Sequence, residues 1–166
     1  MLGGVLIRNA TPDDWPAIWP FWHDIVAAGE TYCYDQDLTE EQARELWLVP
    51  PPGCCVVAVD PAGTVLGTAK VHRNQGGPGA HVANASYMVD PRHAGRGVGR
   101  ALVEYTLDWA RAQGYRAIQF NAVAETNTRA VRLYRSLGFE VIGTVPGGFR
   151  HPTEGYVGLH IMHRSL

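Results

Sequence analysis

Charge is scarce in this chain. Of its 166 residues 18% are Asp, Glu, Lys or Arg, and 14 basic against 16 acidic side chains leave a formal net charge of −2. A general nucleic-acid binder presents a basic face, so the balance argues against that class and leaves only local basic patches open. Cysteine is scarcer: Cys33, Cys54 and Cys55 make no disulfide framework. The adjacent pair would point to opposite faces of a strand, as reduced core residues do. No apolar run reaches membrane-spanning length and no signal-peptide pattern opens the chain, so a cytoplasmic location without a membrane partner is expected. The seven histidines lack metal spacing; His160 and His163 would sit on opposite faces of one strand, and no metal is expected. Repeats and linkers are missing as well. What is present is 46% hydrophobic content, enough for one globular domain over residues 1–166 with a sizeable core.

Punctuation divides that domain into elements. Val5–Asn9 reads as a first strand. Thr11 then serves as N-cap of a helix with Pro12 at its first position and Asp13 and Asp14 at the positive end of its dipole. Trp15, Trp19, Trp22 and Val26 share one face of that helix, which Gly29 ends. Such an aromatic stripe serves a core or a ligand. Gly29–Asp37 is a polar, aromatic loop, and Thr39-Glu40-Glu41-Gln42 is a capping-box start for a second helix that stops before Pro50-Pro51-Pro52-Gly53. Cys54–Val59 and Thr64–His72 form a hairpin around Asp60–Gly63, and Asn74–Ala80 is a loop. After the central segment described next, Tyr115–Ala122 is a strand, Asn127 caps a helix over Thr128–Leu137, Phe139–Val145 is a strand that Pro146-Gly147-Gly148 breaks, and Gly155–Arg164 is the last strand. The reading is an α/β protein on one mixed sheet, in the order β-α-α-β-β-β-α-β-α-β-β.

The centre of the chain is Val89–Arg100, Val-Asp-Pro-Arg-His-Ala-Gly-Arg-Gly-Val-Gly-Arg. An apolar strand, Ala83–Val89, precedes it. A helix follows, with Leu102, Tyr105, Thr106 and Trp109 at helical spacing. Gly95, Gly97 and Gly99 let the main chain approach a phosphate closely, and the free N–H groups at the helix start point at the anion. Arg92, Arg96 and Arg100 add positive charge. A plain turn uses glycines too.

Some thirty residues on comes Asn127-x-x-Ala130-x-x-x-Tyr134-x-x-x-Gly138-Phe139. The two motifs at this separation resemble the GCN5-related N-acetyltransferase (GNAT) superfamily, over nearly the whole chain. The resemblance implies two central parallel strands that splay apart, with acetyl-coenzyme A between them and its pyrophosphate on the glycine turn. Cofactor contacts are then implied for Met88, Val89, Arg92, Gly95, Arg96, Gly97, Val98, Gly99, Arg100, Asn127 and Tyr134. The superfamily has Gln or Arg where this chain has Ala94, which removes a side-chain contact and keeps the main-chain donors. The phrase from Asn121 to Tyr134 is also similar to the yeast azetidine-2-carboxylate acetyltransferases, which act on proline-like imino acids. That likeness implies that Asn84 holds the reacting centre and Asn121 the substrate carboxylate. Glu30-Thr31-Tyr32 resembles the substrate loop of phosphinothricin acetyltransferases. A small amino or imino acid is therefore the implied substrate, and a homodimer paired through C-terminal strands (Tyr156–Met162) the implied assembly.

The chemistry can be argued from the residues. Acyl transfer from a thioester needs a neutral amine, a held carbonyl, donors for the oxyanion and a proton for the thiolate. The amide of Asn84 suits the oxyanion, as does the main-chain N–H of Met88 or Val89; satisfying buried backbone groups is the other use open to Asn84 and Asn121. Tyr134 is protonated at neutral pH and can donate to sulfur, or simply pack. The base stays open among Glu30, His81, Glu125, a water chain and capture of neutral substrate. Gly147–Pro152 borders the pocket or is an ordinary loop, with Arg150 able to attract a carboxylate. No cysteine in either motif offers an acyl carrier, so direct attack is expected. The competing readings are an acetyltransferase for peptides, polyamines or an antibiotic, and a non-catalytic acetyl-coenzyme A-binding module.

Overall fold

Seven strands make one sheet in the order β1-β2-β3-β4-β5-β7-β6. In chain order the elements are β1 Leu6–Asn9, α1 Trp15–Ala28, α2 Glu40–Trp47, β2 Cys54–Val59, β3 Val65–Arg73, β4 Val82–Val89, α3 Val98–Ala112, β5 Ala117–Ala124, α4 Thr128–Ser136, β6 Glu140–His151 and β7 Gly155–Ser165. Only β4 and β5 run parallel; every other neighbouring pair is antiparallel. This computed structural model describes residues 4–166, so residues 1–3 of the expected domain lie outside it.

The side-chain alternation of β2 shows how the two layers arise. Val56 and Ala58 join a core with Leu66, Leu102 and Ile118 under α3. Cys55, Val57 and Val59 join the opposite core with Trp22 and Trp47 under α1 and α2. Successive strand residues face opposite sides, so one short apolar run feeds both cores. The aromatic stripe of α1 is core: Trp15, Trp22 and Val26 are buried, with Trp19 stacked along them at 6.0 Å from the Trp15 ring. Each fully buried large apolar side chain, such as Ile18 or Leu66, contributes roughly 1.5–3 kcal/mol.

Two local features aim the chain at the site. Gly29 closes α1 with φ of 67°, a left-handed conformation that turns the loop of residues 29–37 back over the sheet. Gly67 on β3 lies under the start of α3, where a Cβ would stand 2.9 Å from the Met88 carbonyl oxygen and 3.0 Å from Val98. Glycine there lets the first turn of α3 sit close against β3 and β4.

The Pro146-Gly147-Gly148 break is not observed. β6 continues to His151 and absorbs the segment as an irregularity, with Val145 paired to Leu159 and Phe149 to Val157. β6 is the last strand of the sheet, where proline and extra residues are accommodated most easily.

Candidate active site

The site begins where the sheet comes apart. β4 and β5 pair only at Val82–Ala117 and Ala83–Ile118. Against β7, β5 keeps register to Phe120–Met162 and resumes at Val123–His160, so it carries one extra residue around Asn121 and Ala122. A bulge of this kind bends its strand and re-aims its side chains. Asn84, the first residue past the paired stretch, donates from Nδ2 to the Gln119 carbonyl oxygen at 3.0 Å and staples the vertex.

Strand register decides which main-chain donors face the opening. The Asp90 N–H donates to the Leu66 carbonyl at 2.9 Å and the Asn74 N–H to the Val82 carbonyl at 2.8 Å. In an antiparallel ladder hydrogen-bonded positions alternate, so residues 84, 86 and 88 bond to β3 and the N–H groups of Ala85, Tyr87 and Val89 face the gap. The expectation for Met88 as a main-chain donor is thereby corrected. The Val89 and Tyr87 N–H groups both face the gap, that of Tyr87 toward the Tyr32 hydroxyl.

A cavity of about 160 Å³ occupies the vertex. Asn84, Asn121, Asn127 and Tyr134 line it from the sheet and α4, and Thr31, Tyr32, Cys33 and Tyr34 from the loop. The Tyr134 ring packs on Phe120 at 4.5 Å and near Tyr87 at 6.1 Å. Burial raises its hydroxyl pKa above the ordinary value, so it carries its proton at neutral pH. Asn127 caps α4 by accepting from the Ala130 N–H at 3.4 Å. Asn121 accepts from Gln119 Nε2 at 3.0 Å and donates to Asn74 Oδ1 at 2.7 Å.

A second cavity, about 350 Å³, shares Thr31, Tyr32, Tyr87 and Asn127 with the first and runs past Glu30, Met88 and Val89 to Pro91. Pro91 opens the segment that runs into the glycine turn. There Gly95 and Gly97 have φ of 80° and 77°, and α3 starts on Gly97 without any side-chain cap. Its first internal hydrogen bond runs from the Ala101 N–H to the Gly97 carbonyl, so the N–H groups of Val98, Gly99 and Arg100 have no acceptor within the helix. An uncapped fifteen-residue helix opening on two left-handed glycines is suited to an oxyanion such as a pyrophosphate.

The three arginines around this turn are engaged. Arg92 clamps Asp90 with Nη2 to Oδ2 at 2.7 Å, and this pairing holds the Asp90 carboxyl below its usual range. Arg96 meets His93 Nδ1 at 3.1 Å, and Arg100 meets Ser136 Oγ at 3.1 Å and Glu104 at 3.3 Å.

Of the base candidates, Glu30 borders the second cavity. Glu125 accepts from the Gly158 N–H at 2.7 Å and braces β5 against β7. His81 is exposed and lines depressions beside Tyr115, at the other end of β4. Arg150 lies on β6 and does not line the first cavity. Tyr34, Ser86, Tyr87 and Phe120 also line the first cavity, and no motif in the sequence marks them. The alternation Tyr32-Cys33-Tyr34 was the one available signal.

Comparison with known proteins agrees with this geometry. Residues 17–139 match the model of the Acetyltransferase (GNAT) family. The structure of a GCN5-related N-acetyltransferase from Kribbella flavida is 61% identical, with TM-score 0.96 over 98% of both chains. N-acetyltransferase aca1 of Schizosaccharomyces pombe is 27% identical over 82% of this chain and 72% of its own length. An L-methionine sulfoximine/L-methionine sulfone acetyltransferase of Pseudomonas paraeruginosa is 30% identical over 84% of this chain and 83% of its own. The chain belongs to the GNAT family. Its activity class is that of an N-acetyltransferase.

Among the described residues no helix is long and apolar enough to cross a membrane, and no three His, Cys, Asp or Glu side chains are grouped to hold a metal ion.

Proposed function

We propose that this chain transfers an acetyl group from acetyl-coenzyme A to the nitrogen of a small amino or imino acid. One observation carries the reading: a small amide-lined cavity at the vertex of two parting strands shares four lining residues with a second that extends to Val89 and Pro91, on the segment that runs into an uncapped helix start. The helix-start amides from Gly97 to Arg100 fit a pyrophosphate, and the Val89 and Tyr87 N–H groups lie along the route from there to the cavity. The substrate amine attacks the thioester carbonyl directly. Tyr87 N–H and the second N–H of Asn84 receive the developing oxyanion; a donor so placed is worth roughly 3 kcal/mol at the transition state. Tyr134 gives its proton to the departing sulfur, and the proton that the nitrogen loses on becoming an amide passes to water, from which Tyr134 is reprotonated. Asn121, held at both ends of its amide, receives the carboxylate. The amino-acid substrates in the name of the Pseudomonas relative support this class.

The test is thiol release from acetyl-coenzyme A with azetidine-2-carboxylate, methionine sulfoximine and a panel of amino acids. Turnover of at least one is expected. Turnover of a peptide or a polyamine and of none of these would overturn the substrate assignment.

A homodimer through the β6–β7 edge is proposed with it. Ile142, Val145 and Tyr156 are 58%, 46% and 75% exposed on that outermost hairpin. Light scattering of the purified chain should give twice its 18.2 kDa mass; a monomer at high micromolar concentration counts against it. The three free thiols suit a reducing cytoplasm.

A further inference from the structure

Lys70 is the cation that the mechanism leaves unused. It sits on β3 opposite Cys55 of β2 and Ser86 of β4, on the sheet face that α1 and α2 cover. Its residue is 7% exposed. An ammonium offers three donors, and one of them reaches the Leu46 carbonyl at 3.1 Å. The nitrogen lies 5.6 Å from the Tyr34 ring centre and 5.4 Å from that of Trp47. None of the ion pairs among the described residues includes it.

The groups that face it from each packed element are Cys55, Thr68, Ser86, Trp47 and Tyr34, and none is acidic. The Cys55 thiol is pushed up to about 12 by burial and remains neutral. Asp14, the carboxylate whose charge acts on Cys55, is paired with Arg8 at 2.8 Å.

On the far side of Tyr34 and Ser86 lies the cavity of the proposed acetyl transfer, and none of its lining side chains carries a charge. A buried positive charge without a counter-ion thus stands one ring behind the wall of an uncharged pocket. We propose that Lys70 is a specificity-determining residue that acts through this wall, favouring amines that also carry a carboxylate over neutral or polycationic ones. The inference rests on the amino-acid reading above and names the feature of the substrate that is recognised. A carboxylate in the cavity supplies the missing counter-charge. The same field disfavours the ammonium form of the substrate, which suits a pocket that holds no carboxylate base. Two charges roughly a nanometre apart under protein-like screening are worth about tenfold in binding.

The experiment compares azetidine-2-carboxylate with its carboxamide, and L-proline with L-prolinamide, in the wild type, Lys70→Met and Lys70→Arg. In the wild type the acid is expected to exceed the amide in kcat/KM by about tenfold. Lys70→Met should erase that preference through KM of the acid, leave the amide within about twofold, and keep kcat; Lys70→Arg should retain the preference. Should Lys70→Met fail to fold, Lys70→Gln keeps the donor to Leu46 without the charge. An equal fall for acid and amide means a structural role and overturns the proposal, as does a preference unchanged in the neutral variants. If the wild type acetylates both members of a pair equally, the proposal fails while the amino-acid reading stands. If it acetylates neither acid and instead turns over a polyamine, both fail together.

Discussion

Replacing Lys70 by Met should make the protein more stable. Burial lowers the Lys70 pKa from 10.5 to about 8. At about 1.4 kcal/mol per pH unit, holding the charge at pH 7 costs the fold about 3 kcal/mol. Methionine matches the aliphatic stem and removes the charge, but leaves the Leu46 carbonyl without its donor, a loss of about 1 kcal/mol. The expected net gain is about 2 kcal/mol, which at a denaturant slope of roughly 2 kcal/mol per molar moves the urea midpoint up by about 1 M. The sign of the pH dependence is fixed. Between pH 8 and 10.5 the unfolded chain binds the Lys70 proton and the folded chain does not, so wild-type stability rises with pH there. Lys70→Met lacks this term, so the gap between the two proteins should close as pH rises through that window. Tyr32, Tyr87 and Tyr134 have raised pKa values in the fold and weaken both proteins alike at high pH, which makes the difference the proper readout. Urea unfolding followed by tryptophan fluorescence at pH 7 and pH 10 measures it. A variant less stable than wild type at pH 7, or a gap independent of pH, would refute the reasoning.

Four further outcomes follow from the geometry. Tyr134→Phe should lower kcat by about a hundredfold while calorimetry finds coenzyme A affinity within about twofold; lost affinity with normal kcat would make the tyrosine a binding residue. Gly97→Ala places a methyl at φ of 77°, a strain of about 1–2 kcal/mol, and should raise KM for acetyl-coenzyme A about tenfold with the amine KM unchanged. Asn74→Ala removes the acceptor that holds Asn121 Nδ2 at 2.7 Å and should raise the amine KM about fivefold, worth about 1 kcal/mol, sparing that of the cosubstrate. Asn84→Asp sets two acceptors against each other across the 3.0 Å now bridged to Gln119; it should destabilise by about 1–3 kcal/mol, more than Asn84→Ala does in the same unfolding assay.

What the sequence reveals here follows the range of the interactions involved. Capping residues act within one turn, and Thr39, Gln42, Asn127 and Gly29 cap as their local chemistry predicts. The same holds for the glycine turn, where φ above zero is needed at Gly95 and Gly97 whatever lies around them. Pro146 misleads because its effect depends on place in the sheet: an edge strand accepts the missing N–H that an interior strand would not. The Met88 donor misleads for a related reason. Periodicity gives side-chain faces, but the facing of N–H groups depends on the register with β3, which only the pairing shows. Lys70, Gln119 and Asn74 carry no motif at all. Their importance comes from partners 24, 35 and 47 positions away in the chain, distances that only the closed sheet spans.

The three asparagines of the site share a division of labour that bears on catalysis. Each has part of its amide fixed by the protein and part left to the cavity. Asn84 uses one N–H on the Gln119 carbonyl, Asn127 uses its oxygen on the Ala130 N–H, and Asn121 is tied at both ends. An amide held in this way cannot rotate to follow the charge on a ligand, so its remaining donors are aimed before anything binds. That is the condition under which dipoles lower a barrier, since none has to reorganise as the oxyanion forms. It also explains why a neutral amide serves at the vertex where a charged group would not. The staple from Asn84 is what joins β4 to β5 after their ladder ends, and it requires a donor on one side and an acceptor on the other. In the proposed mechanism, the geometry that opens the cleft and the geometry that would stabilise the transition state therefore rest on the same side chain.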